Sequence, residues 1–383
     1  MTETPPALPP LPAAVLPPGL RARFVEDVNG LRMHVLEAGE PGRPLVLLLH
    51  GFPELAYSWR KVMAPLAAAG FHVVAPDQRG YGRTTGWSAE YDGSLAPFRM
   101  MNLVRDAMGL VHRLGHRAVA AVVGHDFGSP VAAWCALVRP DVFPAVALMS
   151  APFAGPPSIP LGEARPAAAA GTDVHAAMLA LDRPRKHYQW YYSTREANAD
   201  MWRAPQGLPA FLRAYYHVKS ADWAENRPFR LGGWTAAELA RMPTYYIMDA
   251  GETMAGTVAH HMPDAAQVAA NRWLTEAELG VYAGEYARTG FQGGLQWYRV
   301  RTSGQWGGEL EVFAGRTIDV PSVFIAGASD WGIQQVPGAL ERMAGTACTR
   351  MQAVHLVEGA GHWVQQEQPE RTAALLLDFL GGL

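Results

Sequence analysis

Cysteine and lysine are scarce in this sequence of 383 residues, and no apolar run reaches the ~18 residues that cross a membrane. The two cysteines, Cys135 and Cys348, are far apart and form neither a metal-binding nor a redox spacing, so we expect a reduced, cytoplasmic setting and no metal site. A net charge of −3 leaves no positive excess that would attract nucleic acid or an anionic membrane. The first residues lack the basic and apolar segments of a signal peptide. These absences predict a soluble, unexported protein.

Three parts of the chain differ in the pattern of their apolar residues. Residues 1–21 are rich in proline and alanine without periodicity, which predicts an extended arm. Short apolar runs alternate with helical spacing over residues 45–139, which predicts a mostly parallel sheet with helices on both faces. The alternation then stops, and long helical stretches rich in aromatic residues follow. We therefore predict an α/β core of residues 22–152 and 306–383, into which a helical cap of residues 153–305 is inserted.

The predicted core is organised around Gly124-His125-Asp126-Phe127-Gly128. This motif follows the apolar run Ala118–Val123, which is typical of a buried strand, and precedes a predicted helix with Ser129 as N-cap and Pro130 at its first position. The central residue of such a turn is strained, so the residues two before and two after it must be small, and both are glycine. The pattern resembles the nucleophile elbow of the α/β-hydrolases, with Asp126 where a serine usually stands.

An aspartate at this position selects a particular chemistry. A carboxylate is a poor nucleophile for acyl transfer, but it can displace a leaving group at a saturated carbon and so form an ester of Asp126 itself. Water must then attack the carbonyl of that ester, so an oxyanion hole is needed around the enzyme's own side chain. The predicted donors are the backbone N–H groups of Phe127 and of Phe52, which lies in His50-Gly51-Phe52-Pro53-Glu54 after the apolar run Leu45–Leu49.

An acid and a histidine follow Asp126 in the chain. Asp330 and His362 each stand in a loop after a predicted strand, as Asp126 does, and the carboxyl ends of parallel strands meet at one edge of a sheet. His362 is the predicted general base for the hydrolytic water, while Asp330 holds its tautomer and stabilises the imidazolium. Glu358 is the alternative acid, because it is closer to His362 in sequence.

With these motifs in place, the chain from about residue 22 to 383 resembles the α/β-hydrolase-fold epoxide hydrolases. The segment Phe291-Gln292-Gly293-Gly294-Leu295-Gln296-Trp297-Tyr298-Arg299 is similar to the family's segment that carries one of two tyrosines holding the epoxide oxygen. The resemblance implies that Tyr298 is one of them and that Tyr188, in His187-Tyr188-Gln189, is the other, with Tyr191 and Tyr192 as alternatives. Phe127 departs from the family's common tryptophan after the nucleophile.

Other residues near the motifs are expected to line the substrate pocket. They are aromatic side chains or members of the His50–Glu54 motif: His50, Pro53, Trp59, Trp331 and Trp363.

Three functions stay open at this point, with epoxide hydrolysis first. A tyrosine of pKa ~10 is neutral at pH 7 and can protonate the leaving oxygen as the C–O bond breaks. A haloalkane or haloacid dehalogenase would use the same aspartate, histidine and acid, but a halide needs N–H donors that the side chains of Phe52 and Phe127 do not offer. A non-catalytic ligand-binding protein is the third. We therefore predict a cofactor-independent hydrolase that converts a fairly hydrophobic small-molecule epoxide to a vicinal diol, with the oligomeric state, a homodimer included, left open.

Overall fold

An eight-stranded sheet forms the centre of the computed structural model, which describes residues 8–159 and 173–383. Residues 1–7 of the predicted arm and 160–172 of the predicted cap lie outside the described residues. The strands of this sheet are β1 Leu20–Val28, β2 Leu31–Ala38, β3 Leu45–Leu49, β4 His72–Pro76, β5 Ala121–His125, β6 Val146–Met149, β9 Ser322–Gly327 and β10 Met351–Val357. Two short strands, β7 Arg185–His187 and β8 Ile247–Asp249, pair separately and antiparallel.

The strand order β1-β2-β4-β3-β5-β6-β9-β10 places the predicted functional loops at one edge. β1 and β2 pair antiparallel, as do β2 and β4, and every neighbouring pair from β4 to β10 is parallel. All five residues of β3 and of β5 are buried, because a parallel sheet is covered on both faces, and this is why they read as continuous apolar runs. The predicted α/β-hydrolase fold with a mostly parallel sheet is confirmed.

Helices pack around the sheet and fill the segment between β6 and β9. The core helices before that segment are α1 Arg60–Ala68, α2 Met100–Arg113 and α3 Gly128–Val138. The segment, which we call the insertion, contains α4 Val174–Leu179, α5 Tyr188–Tyr192, α6 Ala197–Trp202, α7 Leu208–Lys219, α8 Ala236–Leu239, α9 Met254–Ala259, α10 Ala265–Ala270, α11 Glu276–Thr289, α12 Gln292–Ser303 and α13 Gly307–Glu311. The chain ends with α14 Ala339–Arg342, α15 Val364–Glu367 and α16 Pro369–Gly381. Across the described part of the chain, none of these helices is long and apolar enough to cross a membrane.

The start of α3 differs from the sequence prediction. The helix begins at Gly128, with Phe127 as N-cap and no side-chain cap hydrogen bond. Ser129 was predicted to cap the helix, but it already lies in the first turn, where its hydroxyl donates to the carbonyl oxygen of Ala151 at 2.7 Å. Ser129 therefore ties the elbow to the segment after β6 instead of capping the helix.

Close backbone contact joins the insertion to the core. Gly80 and Gly293 meet so closely that a Cβ on either residue would overlap the carbonyl group of the other. Next to this contact, the indole N–H of Trp297 donates to the carbonyl oxygen of Arg79 at 2.9 Å. These contacts lock the first turns of α12 against the core, and Tyr298 follows directly.

Candidate active site

Asp126 stands on a sharp turn between β5 and α3. Its φ of 52° lies in the left-handed region, which costs a residue with a side chain ~1–3 kcal/mol. A Cβ at Gly124 would overlap the carbonyl oxygen of Gly128, and one at Gly128 would overlap the carbonyl oxygens of Leu49 and His50. The turn therefore requires glycine on both sides of Asp126.

Asp126, His362 and Asp330 are brought together at the carboxyl ends of β5, β10 and β9. The Nε2 atom of His362 lies 3.2 Å from Oδ2 of Asp126, and its Nδ1 lies 3.0 Å from Oδ1 of Asp330. All three side chains are buried. Because Nδ1 faces a carboxylate, it carries a proton, and Nε2 is the atom directed at the nucleophile.

The charges of Asp126, His362 and Asp330 shift one another's pKa values. Burial alone would raise the pKa of Asp126, but the hydrogen bond and charge of His362 outweigh it and hold that pKa well below its usual range. Burial would lower the pKa of His362, but the charge of Asp330 and the hydrogen bond to Asp126 raise it to about 9. The site without substrate therefore holds an ionised nucleophile beside an imidazolium at neutral pH.

Glu358, the alternative acid, is exposed at the end of β10. Nδ1 of His362 faces Asp330 instead. The geometry therefore favours Asp330 as the partner of the histidine.

The loop after β3 brings a backbone donor to the nucleophile. The N–H of Phe52 donates to Oδ1 of Asp126 at 2.8 Å. A Cβ at Gly51 would overlap the Asp126 carboxylate, so the approach of this loop depends on glycine. The N–H of Phe127, the second expected donor, follows Asp126 directly in the chain, and its role stays a prediction.

A cavity of about 400 Å³ lies above Asp126 and Phe127. The insertion contributes Tyr188 and Tyr298 to its wall. Much of the remaining wall is apolar or aromatic: Phe98, Met100, Leu103, Pro130, Trp134, Pro152, Phe153, Trp234, Trp297 and Trp306. The cavity is large and apolar enough for a substantial hydrophobic substrate.

Two tyrosines, Tyr188 and Tyr298, line this cavity close to each other. The hydroxyl of Tyr188 donates to Oε1 of Gln335 at 3.0 Å and accepts from Nε2 of Gln189 at 3.1 Å. The ring of Tyr298 lies 5.9 Å from that of Tyr188 and stands edge-on to Phe127 at 5.3 Å. Burial, and then the charge of Asp126, raises the pKa of both tyrosines, so both stay protonated at neutral pH.

The two alternative tyrosines point elsewhere. Tyr191 donates its hydroxyl to Oδ2 of Asp200 at 2.8 Å, and Tyr192 donates to the hydroxyl of Tyr215 at 2.9 Å. Neither belongs to the described residues that line the cavity. The geometry therefore favours Tyr188 as the partner of Tyr298.

Comparison with known proteins gives a consistent result. The model of the alpha/beta hydrolase fold family matches residues 44–369. Epoxide hydrolase B of Mycobacterium tuberculosis is 36% identical over 93% of this chain and 97% of its own length. The chain belongs to the α/β-hydrolase-fold epoxide hydrolases. Epoxide hydrolase A of the same organism is 35% identical over 93% of this chain and 96% of its own. A solved epoxide hydrolase from an endophytic Streptomyces aligns with a TM-score of 0.75 and 34% identity over 96% of both chains.

Five residues that were predicted to line the pocket of this epoxide hydrolase contact other parts of the scaffold instead. None of them is among the described residues that line the cavity: His50, Pro53, Trp59, Trp331 and Trp363. The contacts of these residues explain why they do not line the cavity. His50 donates through Nδ1 to the Gly51 carbonyl oxygen and accepts from the Gln78 N–H at 3.1 Å.

The other four side chains also serve the scaffold. The carbonyl oxygen of Pro53 accepts from the Tyr216 hydroxyl at 2.9 Å, and the indole of Trp363 donates to the carbonyl oxygen of Tyr216 at 2.9 Å. Trp59 is fully buried beside His125, and Trp331 packs edge-on to Phe229 at 4.8 Å. These contacts are made to the protein scaffold and not to the described wall of the cavity.

A buried ion pair ties the three catalytic loops together, and no sequence pattern predicts it. Oε2 of Glu54 accepts from Nδ1 of His125 at 2.6 Å and from the N–H of Gly51 at 3.0 Å, and Oε1 accepts from Gln365 at 2.9 Å. Nε2 of His125 lies 2.7 Å from the carbonyl oxygen of His362. The same Nε2 atom lies 3.1 Å from Oγ of Ser150, so the His125 ring is in contact with the segments after β3, β6 and β10.

Proposed function

We propose that this epoxide hydrolase opens a fairly hydrophobic epoxide through an ester of Asp126 and hydrolyses that ester with water activated by His362. We also propose that the insertion acts as a cap over the site and that its tyrosines, Tyr188 and Tyr298, supply the proton for the epoxide oxygen. The observation that carries it is the meeting, in one apolar cavity, of a carboxylate on an elbow turn with two protonated tyrosines.

In the first step, a carboxylate oxygen of Asp126 attacks an epoxide carbon and the C–O bond to the epoxide oxygen breaks. The electron pair moves to that oxygen, which takes a proton from Tyr188 or Tyr298. A phenol is a suitable acid here because an alkoxide is a poor leaving group unless it is protonated as it leaves. The product is a hydroxyalkyl ester of Asp126, and its apolar part stays in the cavity.

In the second step, Nε2 of His362 removes a proton from water, and the hydroxide oxygen attacks the ester carbonyl of Asp126. The negative charge that develops on the carbonyl oxygen is stabilised by the N–H of Phe52 and, as predicted, of Phe127. Collapse of the tetrahedral intermediate breaks the bond to the diol oxygen, which takes a proton from the His362 imidazolium, and the diol leaves. The proton of the newly formed Asp126 carboxyl group passes to the tyrosinate, which restores both the carboxylate and the tyrosine. Asp330 stabilises the imidazolium that forms.

The proposed route uses substrate, water and side chains alone, so the enzyme is cofactor-independent. Cys135 and Cys348 are both buried as free thiols, which fits the reduced setting of the cytoplasm. The alternative of dehalogenation has less support at the cavity wall. Trp297, which packs edge-on to Phe127 at 5.1 Å, already donates its indole N–H to Arg79 and offers none to a halide.

The test is the intact mass of a His362→Gln variant after mixing with a panel of epoxides and haloalkanes. Loss of the base stalls the second step, so the ester accumulates, and the protein gains the mass of the whole epoxide. Asp126→Ala is the control and gains nothing. An adduct from haloalkanes alone, with halide released, would establish dehalogenation and overturn the proposal.

A further inference from the structure

Lys219 is a buried lysine close to the catalytic site. It ends α7, and only 3% of the residue is exposed, although lysine is almost never fully buried without a partner. In the described parts of the chain, its Nζ atom forms neither a hydrogen bond nor an ion pair. Instead it lies over four tyrosine rings, with distances to the centroids of 4.6 Å for Tyr246, 5.1 Å for Tyr215, and 5.7 Å for Tyr188 and Tyr245. Such rings stabilise a cation through their negative faces.

The backbone of Lys219 is fixed to the catalytic histidine. Its carbonyl oxygen accepts from the N–H of His362 at 2.8 Å. A Cβ at Gly361, the residue before the histidine, would overlap that carbonyl oxygen, so the two segments are in direct contact. The end of α7 therefore holds an ammonium group and the histidine loop in one rigid arrangement.

The ammonium group acts on the charges of the site. Burial lowers the pKa of Lys219 to about 8, against the pull of Asp126, Asp330 and Glu54, so the group remains mainly charged at pH 7. The same charge lowers the pKa of His362 and that of Asp126. It thus opposes the two carboxylates, which hold the proton on the histidine.

We propose that the Lys219 ammonium group, enclosed by tyrosine rings beside the catalytic loops, is a positioning charge that repels the proton of His362 and so frees Nε2 to act as base in ester hydrolysis. This inference rests on the proposed function. Once Asp126 is an ester, it no longer carries the negative charge that favours a proton on His362. Asp330 remains as the anion beside Nδ1. The positive charge of Lys219 then favours the neutral form of His362.

Several charged groups face His362 and Lys219 from the surrounding elements. Those that face the histidine are Asp126 after β5, Asp330 after β9, Lys219 of α7 and the titratable ring of His125, whose centroid is 5.1 Å away. Glu367 accepts from the N–H groups of Gly361 and Trp363, on either side of the histidine. Those that face Lys219 are Asp126, Asp330, Glu54 and the four tyrosines.

The first test is Lys219→Met, which replaces the side chain by an unbranched one that is a single heavy atom shorter and removes its charge. The ester is formed in a single turnover, and its decay is followed by rapid quenching and intact mass between pH 5 and 10. Removing the positive charge raises the pKa of His362, so the acid limb of ester hydrolysis moves up by about one pH unit. At any pH on that acid limb, the variant hydrolyses the ester about tenfold more slowly than the unaltered protein does. Lys186→Met is the matched control, since Lys186 also lies over one tyrosine ring, that of Tyr191, but away from the cavity.

A second measurement leaves Lys219 intact and uses the scarcity of lysine. In protein labelled with ¹³C at the lysine ε-carbons, three side-chain signals are present, and Lys61→Met and Lys186→Met assign them. We expect the Lys219 signal to titrate with a midpoint of about 8. In His362→Gln protein, esterification of Asp126 removes a nearby anion, so that midpoint falls further.

The outcomes separate the two proposals. An upward shift of the acid limb in Lys219→Met supports the role of Lys219. A loss of rate at all pH values without a shift, or a Lys219 signal that is uncharged at pH 7, overturns that role while ester formation still supports the proposed function. Should Lys219→Met not fold, the lysine titration decides. If no ester forms in the His362→Gln variant either, the proposed function fails first.

Discussion

Replacing Glu54 with glutamine removes the negative charge that holds the three catalytic loops together. The amide keeps the size of the side chain, but one of its two ends is an NH₂ group, which cannot accept from the donors around it. The amide oxygen at the Oε2 position can still accept from His125 and from Gly51, so His125 loses the negative charge of its partner. The substitution therefore tests whether the ion pair maintains the arrangement of the loops.

The expected magnitude follows from burial. Both partners are fully buried, and removing one partner of a buried ion pair destabilises a protein by about 3–5 kcal/mol. For a chain of this size the apparent Tm should fall by roughly 4–6 °C. The Gly51 N–H then bonds to a neutral amide oxygen instead of a carboxylate, so the loop that carries the Phe52 N–H is held less firmly beside Asp126, and ester hydrolysis should slow by up to about 10²-fold.

Scanning calorimetry and single-turnover ester decay measure the two effects. Glu26→Gln is the control, because Glu26 also pairs with a cation, Arg32 at 2.9 Å, but 64% of its side chain is exposed. Such a surface pair contributes at most about 1 kcal/mol. If Glu54→Gln changed the Tm and the decay rate no more than Glu26→Gln does, the loops would be held by other contacts, and the reasoning would be refuted.

Three further predictions concern the reacting groups. Asp330→Asn leaves Nδ1 of His362 without an anion, so ester hydrolysis should fall by about 10³–10⁴-fold while the ester accumulates in the mass spectrum; unchanged steady-state turnover would exclude Asp330 from the role. Tyr298→Phe should slow ester formation by about 10²-fold in stopped-flow experiments, whereas Tyr191→Phe should not, and equal effects would contradict the assignment. Because the pKa of Asp126 is depressed, its carboxylate persists as the pH falls, so the single-turnover rate of ester formation should stay level from about pH 8 to about pH 3.5; a half-loss of rate at about pH 4 would show an unshifted carboxyl group.

The fold was largely predictable because its signals are local. Buried parallel strands appear as short apolar runs, and the loops that follow them lie at one edge of the sheet whatever the details of packing. The elbow was predictable for the same reason, since a turn that forces φ to 52° at Asp126 demands glycine two residues away on each side. The N-cap of α3 was not predictable to one residue, because the Ser129 hydroxyl donates to the carbonyl oxygen of Ala151, which lies after the next strand in the chain.

The surroundings of the site were less predictable, because they depend on contacts between distant segments. Aromatic residues next to the motifs, such as Trp363, were placed in the pocket, but neighbours in a loop point to opposite sides, and its indole bonds to Tyr216 behind the site. Gln335, which accepts from Tyr188, lies 147 residues away in the chain, and no local pattern marks it. Lys219 carried a weak signal, as a lysine in an arginine-rich chain beside a pair of tyrosines.

The junction between α7 and the histidine loop bears on how substrate enters. Three hydrogen bonds join the two segments: His362 N–H to Lys219 O at 2.8 Å, Trp363 Nε1–H to Tyr216 O at 2.9 Å, and Ala221 N–H to Glu367 Oε2 at 2.8 Å. Lifting α7 away would break all three, at about 1 kcal/mol net each, and would pull the base out of place. Diffusion through the cavity mouth, where the exposed Trp234 and Arg301 stand, breaks none of them. We therefore expect epoxide and diol to enter and leave on the side of Trp234 and Arg301, without movement of α7.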